Sequence, residues 1–167
     1  MSRAKTTSKL KSYTSKKAWE MLLAGDSCKV IGKELGYVTA AITAFAKRKF
    51  KEESMILWAD DIKKVGVCEI PGCGKTENLQ AHHLLEKTVW THLSRDRTNG
   101  ICLCSHHHKF DLTICPHGVL PAVQAILDFV YSERHGVWMW YEEHKHDEKY
   151  QKFDYEAAYW ELNSEIT

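Results

Sequence analysis

The stretch from Cys68 to Phe110, CEIPGCGKTENLQAHHLLEKTVWTHLSRDRTNGICLCSHHHKF, concentrates residues that bind metal ions. The slightly longer segment 68–117 holds five of the six cysteines and seven of the ten histidines of the 167-residue chain. Thiolates and imidazoles are the ligands that borderline and soft metal ions prefer in proteins. We therefore expect metal binding to organise this part of the chain.

Two short pairs of donors flank the stretch. Cys68 and Cys73 enclose four residues that include a Pro-Gly turn, and Cys104 and His107 follow with two residues between them. Such a set suits a tetrahedral zinc ion, which would replace a core that this short segment cannot supply. Buried free thiols are the alternative. Cys102 is a competing ligand on the same predicted strand. Cys104 is preferred because it begins the turn that supplies His107, which leaves Cys102 as a small buried hydrophobic residue.

Between these pairs the pattern predicts a strand, a loop, a second strand and a helix. LQAHHLL and NGICLC are short apolar runs typical of strands, and SHHHKFDL predicts a helix with His108 on one face. His82 and His83 are adjacent at the end of the first strand, where the chain turns and both side chains can approach one site. Asn99 begins the second strand, nine residues before His108. These elements predict an α+β fold.

The string C-x4-C, AHHLL and NGICLCSHHHKF resembles the HNH nuclease family, whose core is a ββα-metal fold, and especially its zinc-containing branch common in phage and homing endonucleases. The resemblance covers residues 68–117. It implies a ββα-metal core with structural zinc, flanked by helices at both ends. It also implies a DNA endonuclease of homing or phage type, which nicks or cuts double-stranded DNA with a single divalent ion and a histidine base.

The resemblance implies a role for each matching position. His83 would be the general base, and Asn99 would fix the loop and orient it. His82 and His108 would ligate the catalytic ion, expected to be Mg²⁺ or Mn²⁺, although histidine-rich ligation also accepts Ni²⁺ or Co²⁺. The structural zinc would be held by Cys68, Cys73, Cys104 and His107. Leu112 stands where some members have a third ligand, so water would complete the catalytic ion's coordination.

Two further features lie near this core. Arg95 and Arg97 are predicted to contact DNA phosphates, because guanidinium groups match phosphate geometry. Cys115 and His117 flank Pro116 and could contribute to a second metal site, although an isolated C-x-H pair is weak evidence.

Residues 1–60 form the first predicted domain, a basic helical segment. AWEMLLAGDSCKVIGKELGYVTAAITAFAKRKF indicates three helices, with Ser27 capping the second and Gly36 ending it. The short turn before the third helix is typical of a helix-turn-helix DNA-binding motif. A plain helical hairpin is the alternative. Three basic residues at the end of the third helix are expected to contact DNA: Lys47, Arg48 and Lys49.

Residues 61–167 form the second predicted domain, the HNH core with a C-terminal helical extension whose aromatic residues are expected to pack against it. Residues 1–67 carry fourteen Lys or Arg against seven Asp or Glu, whereas residues 133–167 carry four against nine. The basic end predicts double-stranded DNA as the partner. Because no apolar run reaches the roughly 20 residues that span a bilayer, and no secretory signal is evident, a cytoplasmic location without membrane partners is expected. Both a monomer and a homodimer remain open.

Two functions from different classes fit this sequence. One is an active DNA endonuclease. The other is a catalytically inactive, zinc-stabilised DNA-binding or adaptor protein. The joint presence of His82, His83, Asn99 and His108 favours the endonuclease, because a binding module has no need of all four.

Overall fold

The structure, a computed structural model, describes Leu10 and residues 12–164. The other residues of the predicted basic N-terminal segment, 1–9 and Lys11, lie outside this range. Within it the chain is a mixed α/β protein with seven α-helices and a two-stranded antiparallel sheet. The elements in order are α1 (Ser12–Leu23), α2 (Cys28–Leu35), α3 (Thr39–Lys63), β1 (Leu79–His83), β2 (Gly100–Cys104), α4 (Ser105–Lys109), α5 (Leu120–Glu133), α6 (His135–His144) and α7 (Tyr155–Ser164). None of the described helices is both long and apolar enough to cross a membrane.

Contacts divide the chain into two compact units, one of residues 1–54 with 155–167 and the other of residues 55–154. The division differs from the predicted boundary after residue 60, which falls inside α3. It also places α7 with the N-terminal helices rather than in an extension of the second domain. The reason is aromatic packing between distant segments. Tyr159 of α7 lies with its ring centroid 5.6 Å from that of Trp19 and 5.5 Å from that of Phe50.

Helix α2 has the two caps that the sequence predicts, and a tight turn joins it to α3. Ser27 Oγ accepts a hydrogen bond from Val30 N at 3.4 Å, and Gly36 adopts the left-handed conformation with φ 71°. The turn then folds back onto α2, since Tyr37 N donates to Gly32 O at 2.8 Å. A Cβ atom at Gly32 would lie 2.8 Å from Tyr37 O. Glycine is therefore required there for the two helices to pack at this separation.

Replacing Gly32 with alanine is expected to destabilise the first unit by about 1–3 kcal/mol, because the added methyl group must displace backbone atoms. The matched control is Gly136→Ala in α6, where an added Cβ meets nothing within 4 Å. That change is expected to be neutral or to stabilise the helix by up to about 1 kcal/mol. Urea unfolding followed by circular dichroism measures both effects. Equal free energies of unfolding for the two variants would contradict the close contact.

The sheet of the second unit pairs β1 with β2, with Leu79 opposite Cys104 and His83 opposite Gly100. Every residue of β2 is buried, whereas those of β1 are half-buried. Apolar residues of β2, of α5 and of the segment before β1 form the core: Cys68, Ile70, Ile101, Leu103, Cys104, Ile126, Phe129 and Val130. Helix α4 follows β2 directly and is shorter than the predicted SHHHKFDL helix. The order strand, loop, strand, helix brings the start of α4 beside β1.

Candidate metal sites

Four sulfur and nitrogen donors converge where β2 leads into α4. Sγ atoms of Cys68 and Cys104 lie 3.4 and 3.5 Å from Nδ1 of His107, and Cys73 Sγ lies 3.9 Å from Cys104 Sγ. Ligand atoms at roughly 2.0–2.3 Å from a tetrahedral ion are about 3.3–3.8 Å apart. The cluster therefore has the spacing of a metal site, and it consists of the four residues that the sequence predicted. Cys102 is fully buried and lies outside it.

Burial and hydrogen bonding shift the pKa values of the donors in this cluster in different directions. Burial raises the pKa of Cys68 to about 11. Burial also acts to raise the pKa of Cys104, but hydrogen bonds from the His107 backbone and the neighbouring thiols outweigh it, so that this pKa is lowered. A metal ion would supply the positive charge that keeps several buried thiols deprotonated. Burial lowers the pKa of His107, which favours the neutral, ligating form. Its Nε2 lies 3.5 Å from an Asp111 carboxylate oxygen that can orient the ring.

A second cluster consists of three imidazoles. His82 Nδ1 lies 3.3 Å from His108 Nε2, and His117 Nε2 lies 3.2 Å from the same atom. Burial lowers the pKa of His82 to about 3 and that of His108 to about 4, so both rings are neutral at pH 7 and can offer lone pairs to a cation. The sequence predicted His82 and His108 here. His117 was only part of a weak C-x-H signal, because its distance along the chain follows no helical or strand period.

Gln80 fixes the orientation of His108, and sequence reasoning missed it. His108 Nδ1 lies 2.5 Å from Gln80 Oε1, while Gln80 Nε2 donates to Ser105 Oγ at 3.1 Å. The His108 ring therefore carries its proton on Nδ1 and turns the Nε2 lone pair towards the cluster. The signal that could have identified Gln80 is strand alternation, because residues two apart on β1 share a face with His82.

Replacing Gln80 with leucine is expected to weaken divalent-ion binding at the three-histidine cluster by about 10–100-fold, because His108 loses the acceptor that sets its tautomer. Gln124→Leu is the matched control, since that side chain bonds Asp128 within α5. Calorimetric titration with Co²⁺, on protein whose four-donor cluster already holds zinc, gives the Co²⁺ affinity of each variant. Indistinguishable binding by the two variants would argue against the orienting role.

His83 is held next to the three-histidine cluster as a neutral base. Its ring stacks on Trp58 of α3, with centroids 3.8 Å apart and planes 14° apart. Its Nε2 donates to Ser94 O at 3.0 Å, which leaves Nδ1 unprotonated. Burial lowers the pKa of His83 to about 4. Trp58 is itself fixed, because it is buried and its Nε1 donates to Asp96 O at 2.8 Å.

Asn99 holds the loop between the strands. Its side chain is fully buried, and Oδ1 accepts from Leu85 N at 2.7 Å. Nδ2 donates to Leu85 O and Leu93 O at 3.0 and 3.1 Å. These bonds close the loop that carries Ser94, the acceptor for His83. Asn99 is therefore placed to position His83 through the loop backbone and not by direct contact.

The predicted DNA-contacting residues of the loop occupy different environments. Arg95 is only 6% exposed and donates to Ser94 O at 3.0 Å, the same carbonyl that accepts from His83. This burial differs from the exposed position expected of a phosphate-binding arginine, because the loop folds the side chain inward. Arg97 is half-exposed and its Nε lies 2.5 Å from a carboxylate oxygen of Asp61.

The basic residues predicted to bind DNA from α3 lie in the first unit. Lys47 and Arg48 are exposed, and Arg48 lies 3.6 Å from Glu52. Lys49 is half-buried, pairs with Glu53 and lies 5.6 Å from the Trp19 ring centroid. Lys47 and Arg48 are therefore the better placed of the three to contact a polyanion.

An open cavity of about 520 Å³ adjoins the second cluster and His83. It is lined by His82, His83, His108 and His117, and also by Glu86 and Lys87. The unprotonated His83, three clustered imidazoles and a lysine thus line one space. No protein-family model, curated protein sequence or solved structure matches the chain.

Proposed function

We propose that the chain is a metal-dependent DNA endonuclease of the HNH type, with β1, β2 and α4 as its ββα-metal core. The observation that carries the proposal is His83, a neutral base with a free Nδ1, facing the same cavity as the imidazoles of His82 and His108. Hydrolysis of a phosphodiester needs a base for water and a cation for the charge that develops on the phosphate. The cavity is lined by a base and by imidazoles that could hold such a cation.

The four-donor cluster would hold a structural zinc ion, because three thiolates and one imidazole form a closed tetrahedral set with no position left for a substrate. The neighbouring residues His107 and His108 would then bind different ions. His107 belongs to the scaffold, and His108 belongs to the site of chemistry.

The chain's own groups support the following reaction. His83 Nδ1 takes a proton from water, and the resulting oxygen attacks phosphorus as the bond to the 3′ oxygen breaks. The departing 3′ oxygen takes a proton from solvent, and a 5′ phosphate remains on the other fragment. His82 and His108 would hold a divalent ion, which would supply Lewis acidity for the phosphate. Lys87 lines the same cavity and adds positive charge for the phosphate.

DNA binding in the proposed function comes from both units. The tight turn between α2 and α3, with its αL glycine, supports a helix-turn-helix arrangement that would place exposed Lys47 and Arg48 against the duplex. Arg97 would contact phosphate, whereas buried Arg95 would hold the Ser94 carbonyl in place. Double-stranded DNA is therefore the proposed partner.

The test is incubation of zinc-loaded protein with supercoiled plasmid and, separately, Mg²⁺, Mn²⁺, Co²⁺ or Ni²⁺. The nuclease proposal expects relaxed or linear products that EDTA suppresses. A zinc-stabilised DNA-binding or adaptor protein instead expects a gel shift with intact plasmid under every ion. Intact plasmid across all four ions, with the protein folded and zinc-loaded, would reject the nuclease.

A further inference from the structure

The second cluster contains one more ligand than the pair expected of it. His117 Nε2 lies 3.2 Å from His108 Nε2, and the ligand atoms of His82, His108 and His117 all lie within 4.8 Å of one another. Nitrogen atoms at roughly 2.0–2.1 Å from one ion are about 3.0 Å apart at adjacent octahedral positions and about 3.4 Å apart at tetrahedral ones. The two short separations to His108 fall within these limits.

The loop that carries His117 is anchored on both sides of it. Cys115 is buried, its Sγ donates to His108 O at 3.3 Å, and its backbone N donates to Ala122 O at 3.1 Å. Gly118 N donates to Cys115 O at 3.1 Å, and a Cβ atom at Gly118 would lie 3.1 Å from Ala122 Cβ. The turn is thus packed between α4 and α5. The hydrogen bond from Cys115 Sγ to His108 O ties the position of His117 to that of His108.

The residues that directly follow α4 offer no alternative third ligand. Leu112, one turn after His108, is apolar and 84% exposed. The Asp111 carboxylate accepts from Thr113 N at 2.8 Å and Thr113 Oγ1 at 2.6 Å, and it also lies beside the zinc-site imidazole of His107. Among the described residues the donors that converge on His108 Nε2 are therefore two further imidazoles.

From this arrangement we infer that His117 is the third protein ligand of the catalytic ion, and that the site takes a late first-row transition ion in preference to Mg²⁺. The three donors are imidazole nitrogens, and none of them is a carboxylate. Mg²⁺ prefers oxygen donors, especially carboxylates, whereas imidazole suits Co²⁺, Ni²⁺, Cu²⁺ and Zn²⁺. Glu86 lines the same cavity, but its carboxylate bonds Thr88 Oγ1 and lies outside the three-imidazole cluster. The inference rests on the proposed function only for calling this ion catalytic.

The test measures ion binding and not activity. Protein with zinc in the four-donor site is titrated calorimetrically with Co²⁺ for the wild type, His117→Ala and the control His135→Ala, an exposed histidine at the start of α6. Loss of a ligand is expected to weaken Co²⁺ binding by at least about 10–100-fold, whereas the control stays within about twofold. Mg²⁺ at a hundredfold excess over Co²⁺ is expected to leave wild-type Co²⁺ binding unchanged.

Two results would overturn the inference: His117→Ala binding Co²⁺ as tightly as the control, or Mg²⁺ displacing Co²⁺ at equal concentration. If His117→Ala does not fold, X-ray absorption at the cobalt edge of the wild-type protein decides. Three imidazoles per cobalt support His117 as a ligand, and two reject it. Failure of the nuclease is a separate result. If cobalt is bound by three imidazoles but the plasmid is not cleaved, the ligand assignment stands and the nuclease activity is rejected. If the plasmid is cleaved but His117→Ala binds Co²⁺ as tightly as the wild type, the activity stands and the ligand assignment is rejected.

Discussion

Replacing His83 with alanine is expected to lower the rate of plasmid cleavage by about 10²–10⁴-fold, the range that a positioned general base contributes. The geometry gives the reason. His83 Nε2 is committed to the Ser94 carbonyl, so only Nδ1 can accept the proton of water. Because burial lowers the pKa of His83 to about 4, the base is in its active, neutral form throughout the physiological range. Single-turnover cleavage at saturating metal measures the effect.

The control for this experiment is metal binding by the same variant. His83 is not one of the three converging imidazoles, so His83→Ala should bind Co²⁺ within about twofold of the wild type. His135→Ala should leave both cleavage and metal binding unchanged. Cleavage by His83→Ala at a rate close to that of the wild type would reject the general-base assignment, whatever its metal affinity. A loss of both properties together would instead indicate that the ring acts as a ligand.

The parts of the fold that the sequence predicts are those set by local chemistry. Ser27 and Gly36 delimit α2 through hydrogen bonds and a backbone conformation that involve only neighbouring residues. The two strands lie in the short strand-like runs LQAHHLL and NGICLC, and they pair antiparallel across a loop that ends at the buried Asn99. The grouping of α7 with the N-terminal helices could not be predicted in this way. It depends on Tyr159 meeting Trp19 and Phe50, which are far away in sequence.

The same distinction applies to the candidate sites. The four-donor cluster was predicted because each pair of ligands is close in sequence and spaced for one ion. Gln80 was missed because its partner His108 lies on a different element, and the bond exists only once α4 packs beside β1. His117 was undervalued for a related reason. Its approach to His108 is set by a loop anchored through Cys115 and not by any periodic pattern. Arg95 was expected to contact DNA phosphates, but the fold of its loop buries its side chain.

Replacing Cys104 with serine is expected to abolish stoichiometric zinc binding and to unfold much of residues 55–154. Apparent binding energies of structural zinc are about 10–16 kcal/mol, which is comparable to the whole stability of a domain. Two control variants distinguish the effect of losing zinc from the effect of losing a cysteine thiol. Cys28→Ser changes a half-buried residue of α2, and Cys102→Ala removes a buried thiol that lies outside the cluster. Both should retain about one zinc per chain, and Cys102→Ala should lose only about 1–2 kcal/mol. Elemental analysis and thermal unfolding measure these effects, and zinc retained by Cys104→Ser but lost by Cys102→Ala would reverse the assignment.

The two metal sites should respond asymmetrically, because α4 carries a ligand for each. A helix of five residues is too short to be stable alone, so contacts outside it hold Ser105–Lys109 against the sheet. We expect zinc in the four-donor cluster to be the strongest of them, beside the hydrogen bonds of Gln80 to His108 and Ser105. Loss of zinc in Cys104→Ser should therefore also remove Co²⁺ binding by His108 and its partners. His108→Ala should have only the local effect, with zinc retained and Co²⁺ affinity reduced. If His108→Ala released zinc as readily as Cys104→Ser, the two clusters would be one cooperative site, and the separate roles of His107 and His108 would be rejected.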